Sequence, residues 1–251
     1  MYLLEELASQ GFIVAAVDHP YGSGTTVFPD GRRLRAPSHG YLSFTSAEEL
    51  RATHAYVDQQ LEIRIADIRF LVETLSKHDE ANPFARTGNA FGIVGYSFGG
   101  TAAAALCSRG TRIQACVNID GLLFDNLGSP NEVPWPFLHV ISKAEPLAPG
   151  SRNQLPELEA MAQANTEALM THAVDYSGSY VVSVSGARHD DFLDRPFFSL
   201  PVPNRAMQAL TMYASDYLRT RLLNQPAPLL AKGAKPTHPS VFVQRREAPV
   251  P

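Results

Sequence analysis

A chain of 251 residues, 45% of them apolar, is long enough to bury a sizeable core in one large domain or two small ones, and its charged fraction of 18% is that of a globular protein. The net charge of −4 and the isolation of the short basic stretches (Arg32, Arg33 and Arg35; Arg245 and Arg246) exclude the broad cationic face that nucleic acid needs. No apolar stretch reaches the length of about 18 residues that a membrane span requires, and no basic region followed by an apolar signal segment opens the chain. The sequence as written is therefore expected in the cytoplasm; a missing N-terminal segment would open a secreted or lipid-associated location.

In chain order, "MYLLEELASQ" reads as the end of a helix feeding "GFIVAAVDHP" (11–20), a continuous apolar run that fits a strand buried on both faces of a parallel sheet. Residues 20–55 are rich in Gly, Pro, Ser and Thr, and are expected to form a functional loop or a partly helical excursion. From Asp58 to Ser76, Leu61, Ile65, Ile68, Leu71 and Leu75 recur at three- and four-residue intervals, which places them on one face of an amphipathic helix. The spacing and the turn signals then predict a strand in "AFGIVGYS", a helix in "GGTAAAALCSR", and strands in "IQACVNID" and "PFLHVISK". A helix over "LPELEAMAQANTEALMT", a strand in "SYVVSVSG" and a final helix over "NRAMQALTMYASDYLRTRLL" follow.

Strand and helix alternate, so the class is α/β, with a mainly parallel sheet and helices on both faces. One domain is expected over 1–223, and the proline-rich residues 224–251 are expected to be a disordered tail. The two cysteines, Cys107 in a predicted helix and Cys116 in a predicted strand, lack the C-x-x-C spacing of a zinc or redox site and are read as buried fillers.

Gly95-Tyr96-Ser97-Phe98-Gly99 stands between a predicted strand and a predicted helix. That is the context of a nucleophile elbow, in which a sharp turn forces the serine into a strained backbone conformation that flanking small residues permit. A serine hydroxyl is a weak nucleophile at neutral pH. It needs a general base, and the base needs a group to fix its tautomer. The expected chain order is Ser, then Asp or Glu, then His, each at the end of a strand. Only His189 lies just beyond the last strand; His139 lies mid-strand, His172 at a helix end, His238 far on in the tail, and His19, His39, His54 and His78 all precede Ser97. Two carboxylates compete for the third role, Asp120 at the end of "ACVNID" and Glu145 after "FLHVISKA", and spacing leaves them comparable.

The sequence resembles the plasma and type II platelet-activating factor acetylhydrolases of the α/β-hydrolase superfamily. The likeness runs from about residue 5 to residue 200, on "LASQGFIVAAVDH", "RIADIRF", "GYSFGGTAA", "NIDGLLF", "PWPFLHVIS" and "SGARHDDFLD". It implies that the acid is Asp120, 23 residues after the serine, rather than Glu145. It also implies a phospholipid substrate with a short or oxidised acyl chain. With Ser97 as nucleophile, His189 as base and Asp120 as its partner, the expected chemistry is ester hydrolysis through an acyl-enzyme, with the backbone N–H of Phe98 as one oxyanion donor and no metal or organic cofactor.

The chain departs from that family in lacking the early strands and the H-G-x-G-type oxyanion loop, and an N-terminally truncated enzyme with a gap between the "GFIVAAV" and "FGIVGYS" strands is expected. Tyr96 stands where the family often has histidine, and His19-Pro20-Tyr21 where it tends towards a charged pair. The runners-up are a polyester or dienelactone-type hydrolase drawing its acid from Glu145, and a catalytically dead fold used for binding. Phe197, Phe198 and Leu200 are read as a pocket wall or core, with a peripheral lipid-docking face as the alternative.

Overall fold

Four apolar runs of six or seven residues form the parallel part of the sheet that carries the site: β3 (Phe91–Tyr96), β4 (Ile113–Ile119), β5 (Phe137–Lys143) and β6 (Tyr180–Ser185). They precede a fifth strand, β7 (Val241–Arg245), which pairs antiparallel to β6, giving the order β3-β4-β5-β6-β7. The computed structural model describes residues 2–22, 24–36, 47–77, 90–109, 112–122, 136–143, 164, 167, 178–193 and 204–245, with backbone alone for 47–55. Helices α1 (Tyr2–Ser9), α2 (Ala47–Leu75), α3 (Phe98–Ser108) and α4 (Arg205–Leu223) surround the sheet, and a small hairpin, β1 (Thr25–Val27) and β2 (Arg33–Arg35), precedes α2. This is the α/β architecture expected from the alternation of elements.

Because side chains alternate across a strand, one sheet makes two cores. Ala115, Val117 and Ile119 of β4 join Leu138, Val140, Val182 and Val184 against Leu3 and Leu7 of α1 and Leu210, Tyr213 and Tyr217 of α4. Cys116 of β4 turns the other way, with Phe137, and packs against Ala102, Ala105 and Leu106 of α3 and Leu61 and Ile65 of α2. Of the predicted apolar face of α2, Leu61 and Ile65 are buried and Ile68, Leu71 and Leu75 half-buried; the helix begins at Ala47, eleven residues before the periodicity becomes regular. Small residues let α3 approach the sheet closely: Ala103 and Ala105 are 0% exposed.

Three expectations are corrected. The run at 11–20 forms no strand, and only Phe12 and Val14 touch the core while Ile13 is 56% exposed. A strand in a parallel sheet exists only beside a neighbour that completes its ladder. Among the described residues the sheet ends at β3, and this run has no such neighbour.

The tail is not disordered through 245. Composition averaged over its prolines concealed a short alternating strand, and β7 pairs Val243 with Val182 while Val241 and Leu230 are 1% and 2% exposed. Asp216 of α4 fastens the connecting turn by accepting from the Leu229 and Leu230 amides at 2.9 and 3.3 Å.

The cysteines are buried but not independent, for Cys107 and Cys116 form a disulfide joining α3 to β4. Spacing could not announce a pair whose Cα atoms are brought to 6.6 Å by packing helix on strand. Reduction is expected to lower the unfolding free energy by about 2–3 kcal/mol, the chain-entropy value for so short a loop, read as a lower urea midpoint in dithiothreitol. An unchanged midpoint with both thiols free would show that the bond does not restrict the unfolded chain.

The helix predicted over 155–171 lies outside the described residues, except Ala164 and Glu167, which are helical. Among the described residues no helix is long and apolar enough to cross a membrane.

Candidate active site

The parallel register sets Ser97 and Asp120 at the same rim of the sheet. Tyr96 pairs with Ile119, and the ladder extends one bond past each strand, from the Ser97 amide to the Ile119 carbonyl (2.8 Å) and from the Asp120 amide to the Val140 carbonyl (2.8 Å). β6 ends at the same rim, where the Gly186 amide reaches the Lys143 carbonyl at 2.9 Å before the chain enters a single 3-10 turn, His189–Phe192.

Ser97 has φ 53° and ψ −122°, a conformation that a residue with a Cβ adopts only under strain. The turn is tight enough that a Cβ on Gly95 would run into the carbonyl group of Gly99, whereas a Cβ on Gly99 itself would meet nothing within 4 Å. Of the two motif glycines, the first is required by close approach. Ser97 occupies the N-cap position of α3, yet its hydroxyl makes no cap hydrogen bond. It donates instead to His189 Nε2, at 2.9 Å.

His189 Nδ1 donates in turn to Asp120 Oδ2, at 2.7 Å. The same carboxylate accepts from the Ser142 amide (2.7 Å) and the Ser142 hydroxyl (2.8 Å). Asp120 also has a positive φ, of 51°. Asn118 holds that bend from below: its side-chain amide bonds both the carbonyl and the amide of Gly121, each at 3.0 Å. Thr101 ties the start of α3 to the same turn through its hydroxyl, which donates to the Leu122 carbonyl at 2.7 Å. On the histidine side, the Asp191 carboxylate accepts from the Arg188 amide (2.9 Å), and Asn204, which caps α4, donates to the Asp191 carbonyl (2.9 Å).

The electrostatics follow from these contacts. Burial works against the charge on Asp120, but the hydrogen bonds from His189 and from both donors of Ser142 outweigh it and hold the carboxyl below its ordinary value. The bond to Asp120 raises the affinity of His189 for a proton; burial opposes this, and the charges of Asp120 and Asp190 add to it. If His189 serves as base, it must be neutral to accept the serine proton. The acid limb of kcat/KM is then expected to have its midpoint above the ordinary imidazole value, with activity rising as pH increases through it. A pH–rate profile with the midpoint at or below that value would contradict the assignment.

Phe98 opens α3, where a helix leaves its first amides without intrahelical partners, and its ring lies under the guanidinium of Arg64 at 4.6 Å. Arg64 also donates to the Gly22 carbonyl at 3.0 Å, linking α2, the 19–22 turn and the serine elbow. The remaining described histidines lie elsewhere: His19 pairs with Asp67 (2.8 Å), His139 is buried and stacked on Phe137, and His238 bonds Ser240. Glu145, Phe197, Phe198, Leu200, His39, His78 and His172 lie outside the described residues, as does the side chain of His54.

Sequence reasoning missed Asn118, Ser142 and the ring of Tyr96. Asn118 had a faint signal, two residues before Asp120 on the same run; Ser142 had none, since only the register of β4 on β5 brings it to that carboxylate.

Among known proteins, no family model matches the chain, and the curated proteins include no match. A solved structure does match: a ferulic acid esterase from Streptomyces cinnamoneus, with a TM-score of 0.68 at 22% identity, over 97% of this chain and 68% of that one. The two share a fold.

Proposed function

We propose that this chain is a serine ester hydrolase in which Ser97 attacks the ester carbonyl, His189 takes its proton and returns it to the leaving alkoxide, and Asp120 steadies the imidazolium. Water then repeats the cycle on the acyl-enzyme. The observation that carries this reading is the continuous relay from Ser97 Oγ to His189 Nε2 (2.9 Å) and from His189 Nδ1 to Asp120 Oδ2 (2.7 Å), anchored on a strained serine. The Phe98 amide, at the positive end of α3, is one donor to the oxyanion. The fold shared with a ferulic acid esterase is consistent with ester hydrolysis. The resemblance to the acetylhydrolases favours small acyl groups on a glycerophospholipid as the finer substrate class.

The test is labelling with a fluorophosphonate, followed by hydrolysis of p-nitrophenyl esters of increasing chain length and of phospholipids with acetyl or long second acyl chains. A covalent adduct on Ser97 and preference for short acyl groups are expected. Folded protein that neither labels nor hydrolyses any ester would favour a fold used only for binding. The Cys107–Cys116 bond favours an oxidising compartment for the active protein over the cytoplasm expected from the sequence, since cytosolic thiols are kept reduced.

A further inference from the structure

The two hydrogen bonds of His189 leave one freedom unrestrained. Both run from ring nitrogens, Nδ1 to Asp120 and Nε2 to Ser97, and neither bears on the faces of the ring. The side chain is 45% exposed and sits on a turn of four residues whose backbone is held through Asp191 by Arg188 and Asn204, bonds that act on the turn rather than on the ring faces. The ring of Tyr96 covers one face of the imidazole, with centroids 4.8 Å apart and planes 27° from parallel. The hydroxyl of the same residue donates to the His189 backbone carbonyl at 3.1 Å, so one side chain holds both the ring and the turn that bears it.

We propose that Tyr96 is a positioning residue for the proton relay, coupling the serine elbow to the histidine turn through its ring and its hydroxyl together. This rests on the ester-hydrolase reading for its effect on rate. Tyr96 immediately precedes Ser97 in the chain, so any displacement of the elbow carries the clamp with it, and the Oγ–Nε2 distance is preserved. The offset stack also sets the aromatic face beside the imidazolium formed during attack, a favourable arrangement for a cation. Burial, with the nearby charges of Asp190 and Asp120, pushes the phenol up to about 12, so it remains a donor at all working pH values.

Two variants separate the two contacts. Tyr96→Phe keeps the stack and loses one hydrogen bond, and is expected to lower kcat by about 3- to 10-fold with KM little changed. Tyr96→Ala loses both and is expected to lower kcat by about 100-fold, the cost of a misplacement near 1 Å. The ring in Tyr96→Phe therefore rescues most of the loss seen in Tyr96→Ala.

A substrate-free measurement stands beside the kinetics: the low-field proton resonance of His189 Nδ1–H, identified by its loss in His189→Gln. It is expected to broaden and exchange faster in Tyr96→Ala. Wild-type kcat in Tyr96→Phe, or a loss confined to KM, would overturn the proposal, as would an unaltered resonance in folded Tyr96→Ala. If Tyr96→Ala fails to fold, the kcat of Tyr96→Phe decides. A wild-type protein inactive on every ester would sink the hydrolase reading, and the resonance would still test the clamp.

Discussion

Ser97→Ala is expected to abolish fluorophosphonate labelling and to lower kcat on p-nitrophenyl acetate by a factor on the order of 10⁵ to 10⁶, leaving the fold intact. In the proposed mechanism the size follows from covalent catalysis: without Oγ no acyl-enzyme would form, and what survives would be the modest rate that bound substrate and oxyanion amides give to direct attack by water. The intact fold follows from the local geometry. Serine at an N-cap ordinarily stabilises its helix through its hydroxyl. Here that hydroxyl gives α3 no cap bond and is spent on His189, while alanine meets the same strain at φ 53° that serine already bears. The unfolding midpoint in urea should therefore stay close to that of the unaltered protein. A Ser97→Ala protein that still hydrolyses esters would require another nucleophile.

Asp120→Asn is expected to lower kcat by about 10⁴ with a much smaller effect on KM. Asn Oδ1 can still accept from the Ser142 amide, so the bend is retained, but the group facing His189 becomes an NH₂ donor. A donor at that place favours the tautomer with its hydrogen on Nε2, pointing at the serine oxygen, and a ring so protonated cannot accept the Ser97 proton. Loss of the carboxylate also removes the main cause of the raised His189 proton affinity, so whatever imidazole remains competent should titrate at lower pH. Glu145→Gln, measured alongside, is expected to hydrolyse esters at close to the unaltered rate. The reverse result, with Asp120→Asn active and Glu145→Gln inactive, would transfer the acid's role to the other strand end and favour the polyester or dienelactone-type reading.

The legibility of the site was uneven, for reasons that lie in particular residues. Ser97 was legible because the elbow is a local device, and a glycine two residues before the serine, with a strand on one side and a helix on the other, is written within a dozen positions. His189 was legible by order along the chain. Asp120 and Glu145 were not distinguishable from spacing, since both close apolar runs; a resemblance chose Asp120, and in the structure it is Asp120 that meets His189. Tyr96 was noticed only as an oddity, because a stack on a residue 93 positions away has no local signature.

The sequence alone determined the alternation of strand and helix, the buried face of α2, and the identity of the residue that turns at the end of β3. These depend on interactions within a few residues, where periodicity and sterics act directly. Only the tertiary structure decided the two exceptions among the apolar runs. The run at 11–20 has the composition of one and is left without a ladder, while Val241–Arg245, in a segment that reads as disordered, completes the far edge against β6. It alone joined Cys107 to Cys116 and brought Asp120, Ser142 and His189 to one rim. A ladder, a disulfide and the hydrogen-bonded chain from Ser97 through His189 to Asp120 each need distant segments at a fixed separation, and that separation is set by the register of the sheet.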